Sequence, residues 1–445
     1  MKPVVAIVGR PNVGKSTLFN RLIGRQVAIV SDIAGTTRDR IFAGAEAHGR
    51  PFTLVDTGGL EAEPRTAIAL KVRSQAELAI DESDIIIFLL DVIDGLLPAD
   101  MDIASRLRQS GKPVIVVVNK TDNEKLETQS ADFFRLGLEP IFPVSALHGR
   151  GVADLQEYLA GQLPEKTDEE TSKSAIPRLA IVGRPGVGKS TLPNSVLGKE
   201  RAIVNNVPGT TRDAINTIFR YQKQDVMLID TGGLRRRGRI EPGIEQYSVI
   251  RTLRAIEQCH VALFIIDASE LVTAQDTHVA RFILDARKGM VVVANKWDLV
   301  PIERREEYRG VIEERLKFLA YVPLIHSSAI HGSGIGKVLE TALDVWRQRS
   351  LKLPDDDANG IIMSAYSTHP PLSRWQKSLE IYGATQGGVN PPLFVIRVNE
   401  PALVHFSYRR YLENRLRERY AFIGTPVTLV FKKSSRKTAK GARQA

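Results

Sequence analysis

The chain of 445 residues has one cysteine and no long apolar run. A single thiol, Cys259, cannot form an internal disulfide, so we expect a protein of the reducing cytoplasm. Cys259 lies just before the apolar run 261–266 and is interpreted as a buried core thiol rather than as a nucleophile. No apolar stretch approaches the roughly 18 residues that a membrane-spanning helix needs, so we expect no membrane association.

The N-terminal residues resemble a signal peptide only superficially. Their apolar run, 3–8, leads straight into a glycine-rich loop, so we expect a core strand of the mature protein. With 445 residues, 43% of them hydrophobic and 25% charged, the composition is that of a globular protein with two or three domains.

Positive charge is concentrated at the C-terminus. Residues 405–445 contain eleven Lys/Arg against two Asp/Glu, which gives +9 of the net charge of +10. The rest of the chain is therefore close to neutral. A solvated basic tail and a partner with a phosphate backbone, such as RNA, both fit this distribution.

One glycine-rich pattern occurs twice, 174 positions apart. Residues 9–16 and 183–190 both fit the phosphate-binding loop G-x-x-x-x-G-K-[ST]. The same offset separates Asp-Thr-Gly-Gly at 56–59 from its copy at 230–233. A single phosphate loop can arise by chance, but a loop with matching partners at a constant offset indicates two tandem nucleotide sites.

A third repeated element predicts the base. Asn-Lys-x-Asp ends at Asp122 and again at Asp298, an offset of 176. An aspartate there accepts hydrogen bonds from N1–H and the exocyclic amino group of guanine, and adenine offers no such pair. The predicted guanine contacts are Asn119, Lys120, Thr121, Asp122, Ser145 and Ala146 in the first site and Asn295, Lys296, Trp297, Asp298, Ser328 and Ala329 in the second.

The glycine-rich loops should hold the phosphates with their backbone N–H groups at a helix N-terminus. Lys15 and Lys189 are predicted to reach the β- and γ-phosphates. The first predicted loop is Gly9, Arg10, Pro11, Asn12, Val13, Gly14, Lys15 and Ser16, followed by Asp56, Thr57, Gly58, Gly59 and Leu60. The second is Gly183, Arg184, Pro185, Gly186, Val187, Gly188, Lys189 and Ser190, followed by Asp230, Thr231, Gly232, Gly233 and Leu234.

Gly-Thr-Thr-Arg-Asp at 35–39 and at 209–213 predicts a switch in each unit. A threonine hydroxyl there can join the magnesium shell when a γ-phosphate is present, although either threonine of each pair could do so. A plain turn is the alternative. The predicted Mg²⁺ ligands are Ser16, Thr36, Thr37 and Asp56 in the first site and Ser190, Thr210, Thr211 and Asp230 in the second.

The residue after each Asp-Thr-Gly-Gly is notable for what it lacks. Many GTPases place a glutamine there to orient the attacking water. This chain has Leu60 and Leu234, which cannot hydrogen-bond water. Intrinsic GTP hydrolysis should therefore be slow or rely on another positive charge.

Short β-branched runs alternate with amphipathic stretches, which predicts an α/β fold with a doubly wound, mainly parallel sheet in each GTPase unit. Strands are predicted at Val4–Val8, Pro51–Val55, Asp84–Leu90, Pro113–Val118, Leu179–Val182, Asp225–Ile229, His260–Ile266 and Met290–Ala294. The predicted domains are 1–162 and 177–350 for the GTPase units, 163–176 for a polar linker, 351–432 for a third domain and 433–445 for a basic disordered tail.

With these motifs the chain resembles Der, also called EngA, a family of tandem-domain GTPases of bacterial ribosome assembly. The residues that carry the resemblance are 9–20, 235–239, 247–256, 384–386, 390–392 and 406–417. The resemblance implies a C-terminal α+β KH-like domain, a monomer, binding to the large ribosomal subunit and its rRNA, and control of assembly by GTP. GTP, GDP and Mg²⁺ are the implied ligands.

Family members with a hydrophobic residue in place of the glutamine often use K⁺, held partly by an asparagine of the phosphate loop. Asn12 matches that asparagine, whereas the second unit has Gly186. Slow, potassium-stimulated hydrolysis is therefore expected in the first unit. The predicted catalytic residues are Lys15, Asn12, Asp56, Lys189 and Asp230.

Pro193 stands where the first unit has Phe19. If the second helix begins near Lys189, Pro193 should strain it, because proline has no N–H to donate to the preceding turn. We therefore predict weaker GTP binding or slower hydrolysis in the second unit.

The third domain also departs from the family pattern. Its first helix, predicted at 355–368, is short and contains Asn359-Gly360, so part of that helix is expected to be missing. Strands are predicted at Ser378–Thr385, Leu393–Val398 and Val427–Phe431, with a helix at Ser407–Tyr420. No G-x-x-G clamp is evident, so reading of single-stranded RNA sequence is not expected.

Two arginine-rich segments are candidate RNA contacts. One is the helix that carries Arg409, Arg410, Arg415, Arg417 and Arg419, for which a solvated face is the alternative. The other is Arg235, Arg236, Arg237 and Arg239, which either form a solvated loop or dock on RNA or on the third domain when GTP is bound.

Three other functions fit parts of the pattern. A nucleotide-sensing assembly scaffold with incidental hydrolysis needs no further residues. A tRNA-modification GTPase shares the asparagine-bearing loop and the switch, but the tandem repeat argues against it. A phosphoryl-transferring kinase has no evident use for duplicated guanine-specific aspartates.

Overall fold

The computed structural model describes residues 3–23, 42–56, 80, 83–163, 176–199, 205–206, 216–229, 249–371 and 378–434. These residues belong to two compact units, 1–173 with 248–251 and 174–247 with 252–445. None of the helices within the described ranges is both long and apolar enough to cross a membrane. The switch segments at 35–39 and 209–213, residues 164–175 of the predicted linker, the arginine run at 235–239 and the tail from 435 lie outside the described residues.

The first unit is built on a six-stranded sheet. Its strands are β1 (Val4–Val8), β2 (Phe42–Ala47), β3 (Arg50–Asp56), β4 (Ile85–Asp91), β5 (Val114–Asn119) and β6 (Ile141–Pro143). Its helices are α1 (Lys15–Ile23), α2 (Pro98–Ser110), α3 (Glu124–Gln129) and α4 (Val152–Gln162). The strand order is β2-β3-β1-β4-β5-β6, with every pair parallel except β2 and β3.

Helices cover both faces of this sheet. Leu18 of α1 and Leu155 of α4 belong to the core cluster on one face, and Leu107 of α2 belongs to the cluster on the other. β1 and β4 are consequently buried along their whole length, as expected of central parallel strands. Their carboxyl ends meet at one edge of the sheet, where ligands bind in such folds.

The second unit contains a seven-stranded sheet of the same design. Its strands are β7 (Arg178–Val182), β8 (Asn205–Asn206), β9 (Thr217–Tyr221), β10 (Gln224–Ile229), β11 (Val261–Asp267), β12 (Gly289–Asn295) and β13 (Leu324–His326). The helices whose residues join the core around this sheet are α5 (Thr191–Lys199), α6 (Val249–Gln258), α7 (Ala274–Asp285), α8 (Arg305–Arg315) and α9 (Ile335–Arg349). The order is β13-β12-β11-β7-β10-β9-β8, with β8 and β9 antiparallel to their neighbours.

A three-stranded sheet follows in the same unit. Helix α10 (Asp355–Thr368) precedes β14 (Ile381–Gly388) and β15 (Leu393–Val398), and α11 (Phe406–Arg419) precedes β16 (Thr428–Lys433). β14 is antiparallel to β15, and β15 is parallel to β16. Asn359 and Gly360 do not interrupt α10, which runs unbroken over 14 residues, and the Asn359 side chain accepts from Ala384 N at 3.0 Å.

This small domain is joined to the second GTPase domain by backbone hydrogen bonds. Met290 N donates to the Gly424 carbonyl at 2.8 Å, and Gly424 N donates to the Tyr321 carbonyl at 2.7 Å. Arg349, only 2% exposed, donates to Asn390 Oδ1 at 2.9 Å and to the Arg287 carbonyl at 2.9 Å. The contact therefore lies at the start of β12 and the end of α9, opposite the carboxyl ends of the strands.

The predicted strain at Pro193 is not observed, because α5 begins at Thr191 rather than near Lys189. Pro193 is thus the third helical residue, within the first turn, where no N–H is needed. In the first unit α1 begins at Lys15. The second helix has lost its first two residues instead of being distorted.

Candidate guanine-nucleotide sites

The first phosphate loop follows directly from β1, and its shape explains its residue types. A Cβ on Gly9 would lie 2.3 Å from the Leu89 carbonyl oxygen, so only glycine fits there. Gly14 has φ +98°, and a Cβ there would lie 2.3 Å from the Asn119 side-chain nitrogen. Asn12 also adopts a left-handed conformation, with φ +67°. This backbone can bend around a phosphate group.

Lys15 and Ser16 are the first two residues of α1. The Lys15 ammonium donates to the carbonyls of Gly9 at 2.9 Å and Arg10 at 2.8 Å, and the residue is 5% exposed. Ser16 Oγ donates to Asp56 Oδ2 at 2.7 Å. A hydroxyl and a carboxylate side by side at a phosphate loop provide the oxygen ligands that Mg²⁺ prefers, so these residues fit the expected metal.

Asn119 connects the phosphate loop to the predicted base pocket. Its amide nitrogen donates to the Val13 carbonyl at 2.8 Å, and its amide oxygen accepts from Ala146 N at 3.0 Å. Asp122 accepts from Ser145 Oγ at 2.6 Å. The structure thus brings the predicted residues of three separate segments to one edge of the sheet.

The second site repeats this geometry. Asn295 donates to the Val187 carbonyl at 2.8 Å and accepts from Ala329 N at 2.9 Å. Lys189 donates to the Arg184 carbonyl at 2.6 Å. Gly186, at the position of Asn12, has φ +81°, and no atom lies within 4 Å of a Cβ built on it. Asparagine and glycine adopt a left-handed backbone more readily than other residues. This explains why the first site has Asn12 at this position and the second has Gly186.

The two predicted base pockets differ in the side-chain contacts that their recognition residues make. Trp297 of the second site stacks on His326 with ring centroids 3.9 Å apart, whereas the first site has the buried Thr121 in its place. Burial lowers the pKa of His326, and the nearby Arg309 lowers it further. In the second site His331 Nε2 lies 3.8 Å from Asp298 Oδ2. In the first site the corresponding aspartate, Asp122, accepts a hydrogen bond from Ser145.

Two acidic residues that the motifs did not predict support the base-recognition lysines. Lys120 forms an ion pair with Asp91, and Lys296 forms one with Asp267 at 2.6 Å. Burial would raise the pKa of Asp267, but hydrogen bonds from Lys296 and Ser269 outweigh it and lower the pKa. Asp91 and Asp267 end apolar strands at the same 176-residue offset as the Asn-Lys-x-Asp elements, and this recurrence could have revealed them.

Several predicted site residues lie outside the described residues. They are Thr36, Thr37, Thr57, Gly58, Gly59 and Leu60 of the first site and Thr210, Thr211, Asp230, Thr231, Gly232, Gly233 and Leu234 of the second. The described ranges contain the phosphate loops, the Asn-Lys-x-Asp elements and both Ser-Ala pairs, so the comparison of the two sites rests on these parts.

Comparison with known proteins agrees with this geometry. Residues 4–120 and 178–296 match a family model described as a 50S ribosome-binding GTPase, and residues 352–432 match one described as KH-domain-like of EngA bacterial GTPase enzymes, C-terminal. GTPase Der of Chloroflexus aggregans is 47% identical over 98% of this chain and 99% of its own length. The chain belongs to the Der family.

GTPase Der of Herpetosiphon aurantiacus is 48% identical over 97% of this chain and 96% of its own. As a Der family member the chain is a GTP-binding GTPase with two P-loop GTPase domains and a KH-like domain. Among solved structures, Era in complex with MgGDPNP and nucleotides 1506–1542 of 16S ribosomal RNA is 23% identical and covers 60% of this chain and 96% of Era, with a TM-score of 0.29.

Proposed function

We propose that this GTPase binds the large ribosomal subunit in its GTP-bound state, acts in ribosome assembly in the cytoplasm as a monomer, and dissociates after hydrolysis. The observation that carries the proposal is the match of both GTPase domains to a model described as a 50S ribosome-binding GTPase. We further propose the domain boundaries 1–162, 177–350 and 351–432, which the matched ranges 4–120, 178–296 and 352–432 support.

The surface of α11 supports an RNA partner. Arg410, Arg415 and Arg419 are exposed along this helix, and Phe406 at its start is 61% exposed. Exposed arginines can neutralise phosphates, and an exposed aromatic ring can stack on a base. We propose these residues as rRNA contacts.

Arg417 of the same helix has another role. It donates to the Phe422 and Thr425 carbonyls, both at 3.1 Å, and lies over the Tyr321 ring at 4.1 Å. Its guanidinium therefore holds the KH-like domain against the second GTPase domain and is not available to RNA.

The proposed mechanism is in-line attack of water on the γ-phosphate, with catalysis by positioning and charge neutralisation. Lys15 and Lys189 hold the β- and γ-phosphates, and Ser16 and Asp56 would hold Mg²⁺. When bound, Mg²⁺ neutralises negative charge between the phosphates. Asp122 and Asp298 select guanine by accepting its N1–H and amino protons.

We propose that Asn12 also contributes an oxygen to K⁺ in the first site. Asn12 supplies a side-chain oxygen in the first phosphate loop, whereas Gly186, at the same place in the second loop and with the same left-handed backbone, has none. Exchange of K⁺ for Na⁺ should therefore slow GTP turnover by the first site, and Asn12→Gly should remove this sensitivity.

Co-sedimentation with purified ribosomal subunits tests the ribosome proposal. The protein should pellet with the large subunit in the presence of a non-hydrolysable GTP analogue in potassium buffer, and not with GDP. The double substitution Arg410→Ala and Arg419→Ala should weaken binding and flatten its salt dependence by about one unit of slope per lost phosphate contact.

The matched control is Arg304→Ala with Arg309→Ala. These exposed arginines lie on the second GTPase domain and pair with Glu307 and Glu313. The control should bind as the parent does. Absence of pelleting in both nucleotide states, with GTP turnover intact, would refute the ribosome proposal.

A further inference from the structure

Each phosphate loop carries an arginine directly after its first glycine. The Arg10 carbonyl accepts from Lys15 Nζ at 2.8 Å, and the Arg184 carbonyl accepts from Lys189 Nζ at 2.6 Å. The residue that supports the phosphate-binding lysine through its backbone is therefore the same in both sites. Its side chain points away from the loop.

Each arginine side chain ends on a buried aspartate. Arg10 Nε donates to Asp100 Oδ1 at 2.8 Å, and Arg184 Nε lies 3.3 Å from Asp276 Oδ2. Both aspartates are 0% exposed. A buried carboxylate is costly unless it is paired. Arg10 donates a hydrogen bond to Asp100, whereas Arg184 Nε has no hydrogen-bond partner among the described residues and pairs with Asp276 by charge alone.

The two aspartates occupy the same position in their helices. Asp100 is the third residue of α2 and accepts from Leu97 N at 3.1 Å. Asp276 is the third residue of α7 and accepts from Thr273 N at 2.9 Å and from Thr273 Oγ1 at 2.8 Å. The aspartate thus fixes the start of a helix and the arginine fixes the phosphate loop to it.

A second acid contacts each arginine from outside. Asp94 lies 3.5 Å from Arg10, and Glu270 pairs with Arg184, but these side chains are 51% and 58% exposed. Exposed ion pairs contribute little, so the buried Asp100 determines the position of Arg10, whereas Arg184 also hydrogen-bonds to the outer Glu270. The outer acid supplies a matched control for the inner one.

We propose that Arg10 with Asp100, and Arg184 with Asp276, are positioning pairs for GTP hydrolysis. The ion pair restrains the backbone of the arginine, whose carbonyl orients the phosphate-binding lysine. Loss of the pair frees that carbonyl and lets the lysine move relative to the β- and γ-phosphates. Misplacement of about 1 Å in an active site is enough to reduce a rate substantially.

The test uses the full chain with the two sites made separately addressable. Asp298→Asn replaces an acceptor by an amide whose N–H₂ can donate to the 2-oxo group of xanthine, so the second site should use XTP instead of GTP. With both nucleotides present, GTP turnover reports the first site and XTP turnover the second. The XTP rate is then an internal control for folding.

Arg10→Met and Asp100→Asn, each added to Asp298→Asn, should lower kcat for GTP about tenfold and leave kcat for XTP unchanged. The two substitutions combined should cost no more than either alone, because they remove one interaction. Asp94→Asn should leave both rates unchanged. Asparagine at 100 still offers an acceptor to Leu97 N, so the start of α2 is preserved.

Unchanged kcat for GTP in Arg10→Met and Asp100→Asn would overturn the proposal, even with a lower melting temperature, because the pair would then only stabilise the fold. If Arg10→Met loses the unfolding transition of the first unit, the uncharged Arg10→Gln decides the question: a kcat equal to the parent's overturns the proposal, and a partial loss supports it. Arg184→Met in an Asp122→Asn background repeats the test at the second site with the nucleotides exchanged.

Discussion

The two GTPase domains are closely alike at the edge of the sheet that carries the phosphate loop and differ at the opposite edge. At the phosphate-loop edge, Asn119 and Asn295 make the same two hydrogen bonds to within 0.1 Å. At the opposite edge of the second domain, the KH-like domain contributes Gly424 to the backbone of β12. In the first domain the start of β5 and the end of α4 line a cavity of about 520 Å³.

This difference shows where a duplicated domain can diverge. The phosphate-loop edge depends on backbone shape, since glycine is required wherever a Cβ would meet a carbonyl or an amide. The opposite edge of the second domain combines backbone hydrogen bonds through Gly424 with the buried side chain of Arg349, and neither group takes part in the nucleotide site. Its divergence allowed one copy to bind the KH-like domain while both copies kept the nucleotide geometry.

The largest effect is expected from removal of the buried arginine at the opposite edge of the second domain. Arg349→Met leaves Asn390 Oδ1 and the Arg287 carbonyl without their donor and should destabilise the contact by about 2–4 kcal/mol. Burial lowers the pKa of Arg349 to about 10, but the guanidinium remains charged at neutral pH. Hydrogen exchange at Met290 N and Gly424 N measures the contact directly.

Arg347→Met is the control for this substitution. Arg347 lies on the same helix, is exposed and pairs with Asp344 on the surface. It should alter exchange at those two amides by less than about 0.5 kcal/mol. Equal protection in the two variants would show that Arg349 does not hold the domains together.

The second comparison concerns the residue before β4 and β11. Asp84 Oδ2 accepts from Val4 N at 2.8 Å, and His260 Nδ1 accepts from Arg178 N at 3.2 Å at the equivalent place. Burial, reinforced by Arg178, Arg349 and Lys288, lowers the pKa of His260 to about 3. The folded second unit therefore holds this histidine neutral.

The lowered pKa of His260 determines the direction in which the stability of the second unit changes with pH. Between its ordinary value of 6.5 and about 3 the unfolded chain binds a proton that the folded chain does not, so stability falls as pH falls. From pH 7 to pH 5 the second unit should lose about 2 kcal/mol through His260. Denaturant unfolding at both pH values, with His260→Gln as the variant, measures this. An equal loss of stability from pH 7 to pH 5 in His260→Gln and in the parent would contradict it.

The smallest effect is expected at the start of α5. Lys189 and Ser190 precede this helix, whereas Lys15 and Ser16 begin α1. Pro193→Phe should let α5 begin two residues earlier and bring its N-terminal N–H groups to the phosphates. A helix terminus contributes about 0.3–1 kcal/mol to an anion, so the affinity of the second site for GTP should rise about two- to fivefold.

Titration with a fluorescent GTP analogue in an Asp122→Asn background reports the second site alone. Phe19→Leu, a substitution in the helix of the first site, is the control and should leave this affinity unchanged. An unchanged affinity in Pro193→Phe would show that the later start of α5 does not weaken GTP binding by the second site.

Much of the fold follows from the sequence because central parallel strands are nearly continuous apolar runs. The predicted boundaries of β4 and β11 agree with the structure to within one residue. The edge strand β2 and its counterpart β9 were not predicted, since they are only partly apolar and are stabilised by antiparallel pairing. β14 was placed three residues too early, because two register irregularities and its glycines disrupt the alternation.

The parts of the candidate sites that depend on local backbone shape could be predicted from the sequence, and the parts that depend on tertiary contacts could not. Phosphate loops have a fixed backbone shape that requires glycine at fixed spacing, so Gly9 and Gly14 can be recognised from the sequence. Asp91 and Asp100 act through contacts with Lys120 and Arg10, which are distant in sequence. Such pairs are set by tertiary packing, and only their recurrence in the second half of the chain could have indicated them.

The stacked Trp297 gives the molecule a spectroscopic property. It is one of three tryptophans, and it lies inside the base-recognition element of the second site, where the first site has Thr121. Indole emission depends on contact with neighbouring rings and on access of water. Guanine entering the second site should change both, so we expect ultraviolet fluorescence to report the occupancy of that site without an attached dye and without a signal from the first.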